Sequence, residues 1–247
     1  VTAADQETTV ASVSPKPEKI AQTDTSTWRP FTATTVSVQG TALDMSAWVE
    51  APAGKHGTLK MDDLQKLRFV DGAPARFWGT LLGESWTFWS ADQIAQIAGR
   101  LASSGCNLAA VDLVSATVFP QAAVGLVAGL KAKGIYTCFL NLNQLVLPEA
   151  LSKDPAVIPP GLFVFGRSVW NKAATDPVLP LMFKDDPMVR YPAQSLPALL
   201  SYSRPWGVPY GAILQESGPH EYLAEAPLFM ACYGLFENWD AVLGMKI

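Results

Sequence analysis

Ser90-Ala91-Asp92-Gln93-Ile94-Ala95-Gln96-Ile97-Ala98-Gly99-Arg100-Leu101-Ala102-Ser103-Ser104-Gly105-Cys106-Asn107-Leu108-Ala109-Ala110-Val111 is the stretch that decides the fold. Ser90 is a helix N-cap candidate, and Gln93 stands three residues later as its capping-box partner. Ile94, Ile97, Ala98 and Leu101 recur at i, i+3, i+4 and i+7, which makes one apolar stripe on a helix. Gly105 is placed to end that helix in a left-handed conformation. A short apolar strand follows at once. The same sentence is then repeated: a helix over 120–133, a stop at Gly134, and a strand over 135–142. Helices alternating with short apolar strands predict a parallel sheet with helices packed outside it.

Downstream, the run Tyr210-Gly211-Ala212-Ile213-Leu214 leads into Gln215-Glu216-Ser217-Gly218-Pro219-His220, and a helical pattern covers 221–236. A strand that ends in a carboxylate and then turns has the layout of a barrel strand presenting an acid at its C-terminal end. A last apolar run covers 241–247. The expected core strands are therefore 76–81, 107–113, 135–142, 210–215 and 241–247. A closed (β/α)8 barrel takes eight. The proline-dense segment 143–209 has no periodic helix and leaves little room for three more βα units. The expected fold is α/β, TIM-barrel-like, and incomplete or irregular. Residues 1–27, polar and nearly free of large apolar side chains, read as a disordered leader. Residues 28–247 read as the barrel-like domain, opening with a short β segment in which Lys66–Val70, the turn Asp71-Gly72 and Ala75–Thr80 form a hairpin.

Composition narrows the function. Apolar residues make up 49% and charged residues 16% of 247, and the formal net charge is −4. No basic run exists to hold a phosphate backbone, so no nucleic-acid partner is expected. No apolar run approaches the ~18–20 residues of a membrane span. Two histidines far apart and three cysteines without Cys-x-x-Cys spacing argue against a metal site. Cys106, Cys138 and Cys232 read as buried small hydrophobes. No Gly-x-Ser-x-Gly elbow, phosphate-binding loop or dinucleotide fingerprint is present, and no cofactor is expected.

Three stretches together resemble secreted bacterial cellulase-like glycoside hydrolases, clan A (β/α)8 barrels near glycoside hydrolase family 5. They are Ala51-Pro52-Ala53-Gly54-Lys55-His56-Gly57, Val70-Asp71-Gly72-Ala73-Pro74-Ala75-Arg76-Phe77-Trp78-Gly79-Thr80, and Leu101-Ala102-Ser103-Ser104-Gly105-Cys106-Asn107-Leu108. The run Glu221-Tyr222-Leu223-Ala224-Glu225-Ala226-Pro227-Leu228, ending at Asn238-Trp239-Asp240, resembles the seventh and eighth units of such enzymes. The resemblance covers 28–142 and 205–247. It implies a retaining hydrolase of β-linked polysaccharide, with a polysaccharide or oligosaccharide as partner and Glu216 as nucleophile. That mechanism needs two carboxyl groups about 5–5.5 Å apart. The family's second glutamate follows an Asn on the fourth strand, and no Asn-Glu pair occurs in this sequence. The family's Arg and His on the second strand are replaced by Ala110 and Asp112, and the Asn ending its first strand by Leu81. The fourth to sixth units read as deleted.

The residues themselves leave alternatives open. Glu216 is a nucleophile or an ordinary strand-end carboxylate. Asp112 or Glu84 is a replacement acid/base, or else Asp112 is a polar residue facing the same mouth and Glu84 a solvated loop charge. Trp206, Trp239 and Trp78 are candidates to stack on sugar rings, against a core role. His220 is a candidate to touch substrate or orient Glu216, against a helix-terminal role. His56 reads as structural. The competing function is a non-catalytic carbohydrate-binding protein descended from such an enzyme. The leader segment points to a secreted or periplasmic location. An incomplete barrel leaves a strand edge that either segment 143–209 or a second copy of the chain is expected to cover.

Overall fold

A computed structural model describes Ser26, residue 38 and residues 40–64, 66–112, 119–140, 147–170, 187–190, 195–216, 222 and 224–246. Contacts divide the chain into two units, Val1–Val36 and Ser37–Ile247, and the architecture below belongs to the second. The expected leader over 1–27 lies, Ser26 apart, outside the described residues.

Two short strands, β1 (Leu59–Met61) and β2 (Leu67–Phe69), form an antiparallel hairpin with Leu59 opposite Phe69. The expected hairpin lay one strand further on. The structure keeps of it a single bridge between Arg68 and Pro74, because the next strand leaves to join a larger sheet. That sheet is built from β3 (Phe77–Leu82), β4 (Leu108–Asp112), β5 (Tyr136–Leu140), β6 (Val157–Ile158), β7 (Val164–Trp170), β8 (Tyr210–Glu216) and β9 (Ala241–Lys246). Its order is β6-β5-β4-β3-β9-β8-β7, and every pairing is parallel. The chain walks from β3 to one edge, crosses to the other edge, and walks back until β9 seals against β3. This is the strand order of a (β/α) barrel cut open between β6 and β7.

The five expected strands are all present, and the segment read as irregular supplies two more. Their brevity and composition hid them: β6 is two residues long and stops at Pro159-Pro160, and the apolar pattern of β7 is interrupted by Gly166 and Arg167. The opening has a physical cause. Neighbouring parallel strands need a crossover of roughly a dozen residues or more, and only residues 159–163 separate β6 from β7. Those same residues carry the chain from edge to edge, a reach of at most ~22 Å. A flat sheet of this order would hold its edges ~29 Å apart. The sheet is therefore strongly curled. Phe163 makes the point directly: it sits just before β7, three strand spacings from β3, yet its ring lies 6.0 Å from that of Phe77 on β3.

The helices are α1 (Ala91–Ser103), α2 (Phe119–Ala132), α3 (Glu149–Ser152), α4 (Leu196–Tyr202) and α5 (Glu225–Phe236). At α1 the capping box is complete. The Gln93 N–H donates to Ser90 Oγ at 3.2 Å, and the Ser90 N–H donates to Gln93 Oε1 at 2.8 Å. Gly105 follows the C-cap with φ +74°, a conformation that costs a residue with a Cβ more than it costs glycine. Ile94, Ala98 and Leu101 are buried as the stripe required, and they pack with α2 against Ala109 and Val111 of β4. A second convex-face cluster places α4 and α5 over Tyr210, Ala212 and Leu214 of β8 and Val242 of β9. The concave face holds Phe77, Leu81, Ala110, Tyr136, Cys138, Ile213 and Leu243, closed off below by Leu67 and Phe69 of β2. Gly79 lets β3 approach β4, since a Cβ there would meet the Leu108 carbonyl oxygen at 1.9 Å.

Candidate functional site

In a parallel sheet every strand ends at the same rim, and in barrel enzymes that rim carries the chemistry because the longer βα loops meet there. Here β4 ends on Asp112 and β8 ends on Glu216. Register pairs Asp112 with Leu140 at the end of β5, and Glu216 with Trp170 at the end of β7. The two carboxylate-bearing positions are separated by three strand spacings, through β3 and β9. Laid flat, that is roughly 14 Å between backbones, more than either carboxylate mechanism uses. The curl of the sheet shortens that separation.

Alternation along each strand adds a distinction. On β4, Leu108 and Ala110 belong to the concave cluster, and position 112 continues their series. On β8, Ile213 belongs to the concave cluster and position 215 continues it, whereas position 216 continues the series of Tyr210, Ala212 and Leu214. His220, the next candidate on this rim, lies outside the described residues.

The tryptophans are elsewhere. Trp78 is the second residue of β3 and packs, partly buried, against both convex-face clusters. Trp239 precedes β9, is 3% exposed, and meets Tyr210 edge to face at 6.0 Å. Its indole Nε1 has no hydrogen-bond partner among the described residues. The two rings share a cavity of about 300 Å³ between α5 and the N-terminal ends of β3 and β9, whose wall includes Arg76, Gly234, Asn238 and Val242. Trp206 stands in the turn before β8 and is 90% exposed. It borders a second pocket of about 550 Å³ with Asp63, Lys66 and Arg204. The structure thus brings Trp78 and Trp239 together and sets Asp112 and Glu216 on a common rim. It places the two groups at opposite ends of the strands. Asp63, Lys66 and Arg204 were not singled out in the sequence, because their neighbourhood forms only when the β1–β2 turn meets the α4–β8 turn. The one local signal was Trp206 between Pro205 and Gly207.

Electrostatics at the N-terminal side are structural. His56 Nε2 lies 2.6 Å from Glu50 Oε2, and Nδ1 lies 2.5 Å from Asp71 Oδ2. The hydrogen bonds to Glu50 and then Asp71 raise the His56 pKa. Asp240 accepts the Tyr210 N–H at 3.0 Å and faces Arg76 at 3.3 Å, yet burial holds its pKa above the ordinary value. Burial also pushes the thiols of Cys106 and Cys138 up to about 11 and about 12, which removes them as nucleophiles. Cys232 is exposed, against the expectation that all three are buried. Among the described residues no group of three or more His, Cys, Asp or Glu side chains is arranged to hold a metal ion. No helix among them is long and apolar enough to cross a membrane.

Among the described residues these features define a class of fold: an open, curled parallel sheet of seven strands, a (β/α) barrel left incomplete on one side. No family model and no curated protein sequence matches the chain. Among solved structures it is similar to a glycoside hydrolase family 5 protein from Bacteroides vulgatus, with 13% identity and a TM-score of 0.37. The match covers 67% of this chain and 41% of that one, so the chain spans less than half the length of that structure.

Proposed function

We propose that this chain is a secreted or periplasmic glycoside hydrolase of the cellulase-like type, cleaving β-linked polysaccharide by a retaining mechanism. The observation that carries the reading is that Glu216 and Asp112 close two parallel strands of one curled sheet at the same rim. The sequence resemblance supports it. Glu216 carboxylate attacks the anomeric carbon as the glycosidic C–O bond breaks, while Asp112 in its acid form gives its proton to the departing oxygen. In the second half Asp112 carboxylate takes a proton from water, the water oxygen bonds to the anomeric carbon, and Glu216 leaves as carboxylate. Nothing in this cycle needs a cofactor.

Hydrolysis of aryl β-glycosides and of soluble β-glucans and mannans, compared between wild type and Glu216→Ala, tests it. Aryl substrates with good leaving groups need little acid help, so they isolate the nucleophile. The expected loss in the variant is at least about 10³-fold, and Asp112→Asn is expected to slow poor leaving groups more than good ones. Activity unchanged in Glu216→Ala would sink the proposal.

A second reading is favoured by the alternation along β8, which puts position 216 in the convex series with Leu214. On that reading the chain is a carbohydrate-binding protein descended from a hydrolase. Saccharide binding by a folded wild type that hydrolyses none of the panel would select it.

A further inference from the structure

The pocket beside Trp206 has a composition that the rim chemistry does not use. Its floor and walls come from the β1–β2 turn (Asp63, Leu64, Lys66) and from the turn that leads into β8 (Arg204, Trp206, Gly207). Its volume, about 550 Å³, falls within the range of small-molecule and oligosaccharide clefts. The Trp206 indole is 90% exposed and borders this cleft, so its ring face is open to a ligand. Around it stand an acceptor and two kinds of donor. Asp63 and Lys66 both line the pocket. Arg204 donates through Nη1 to the Glu237 carbonyl, which anchors the guanidinium and leaves its remaining N–H groups for other acceptors.

From this we infer that the Trp206 cleft is a saccharide-binding site separate from the catalytic rim. The ligand class follows from the chemistry. A flat apolar π-face suits the axial C–H face of a pyranose ring, and neighbouring hydroxyls both donate to Asp63 and accept from Lys66 and Arg204. A phosphate-bearing ligand fits less well, because the Asp63 carboxylate stands among the cations. The cleft lies at the N-terminal end of β8, whose seven residues put it roughly 20 Å from Glu216. It is thus a holding site for a long chain, not a subsite of cleavage. The choice of β-linked polymer as ligand rests on the proposed function.

Native gel retardation in soluble β-glucan or glucomannan, with titration calorimetry against cellohexaose and mannohexaose, tests the inference on the full chain. Trp206→Ala is expected to weaken binding by at least about tenfold, the usual effect of truncating a contact tryptophan. Trp206→Tyr, which restores an aromatic face, is expected to recover most of it, a rescue that a merely structural role would not produce. Trp206 is exposed enough that its truncation leaves the core untouched. Binding by Trp206→Ala equal to wild type, or no binding of any of these ligands by wild type, overturns the site. Aryl-glycoside turnover, read in wild type and Glu216→Ala, reports on the rim alone. Trp206-dependent binding without turnover removes the hydrolase reading and keeps the saccharide site, and turnover with Trp206-independent binding does the reverse.

Discussion

Asp240 is a carboxylate kept in the fold at a cost. It is 4% exposed, receives the Tyr210 N–H, and is faced by Arg76, but loss of water outweighs both and raises its pKa. An acid whose folded pKa is raised holds its proton to higher pH in the folded state than in the unfolded one. Its contribution to stability is fullest below the unfolded value, near ~3.9, and falls as pH climbs through the folded value. Asp240→Asn keeps an acceptor for Tyr210 and does not ionise. The melting temperature of the variant relative to wild type is expected to rise as pH climbs above about 3.9, and a difference that stays constant with pH would refute the assignment. None of this was visible in the sequence around Asn238-Trp239-Asp240. The groups that set the environment of Asp240 lie 30 residues away at Tyr210 and 164 away at Arg76. By contrast, the Ser90–Gln93 box was legible because both partners sit within one turn of helix.

Among elements, the same contrast holds. α1, α2 and the five long strands announce themselves by period, while β6 and β7 gain their identity from the neighbours that pair with them. The strand-end positions of Asp112 and Glu216 were readable as apolar runs stopping at a carboxylate. Which tryptophans share a surface with them was not, since that depends on which end of a strand each one occupies. The β1–β2 hairpin is tied to the preceding loop by a single imidazole, as His56 bridges Glu50 and Asp71 and its ring lies 5.3 Å from Phe69. Both carboxylates stabilise the protonated ring, so its pKa is raised. The sign is opposite to the usual acid case. This clamp is at full strength below the unfolded value of ~6.5 and is lost as pH rises through the folded value. Wild type is expected to lose stability as pH rises above about 6.5 in urea denaturation, and His56→Gln to show a flatter profile there. Equal slopes would remove the clamp.

At the scale of the molecule, one surface stands out among the described residues, the outward side of α5, where Leu228, Cys232, Leu235 and Phe236 are exposed with no charge among them. A helix apolar on all sides belongs in an interior, and a patch of this kind favours self-association. Leu235→Lys with Phe236→Lys is expected to raise the protein concentration at which light scattering still reports a monodisperse species. No change would mean that the patch contributes nothing to association.

The seam between β3 and β9 has one more consequence. Among the described strands of the large sheet β3 is made first and becomes the central one, while β9, its neighbour, is made last of them. Between the synthesis of β3 and that of β9 the nascent chain therefore carries a half-finished sheet. β3, β4 and β5 with α1 and α2 are able to assemble as they emerge, but one hydrogen-bonding edge of β3 stays bare until β9 arrives. An apolar strand waiting that long is open to pairing with a neighbouring nascent chain. The distance in sequence between these two strands is thus also an interval of exposure, during which the cell's holding chaperones have the most to do.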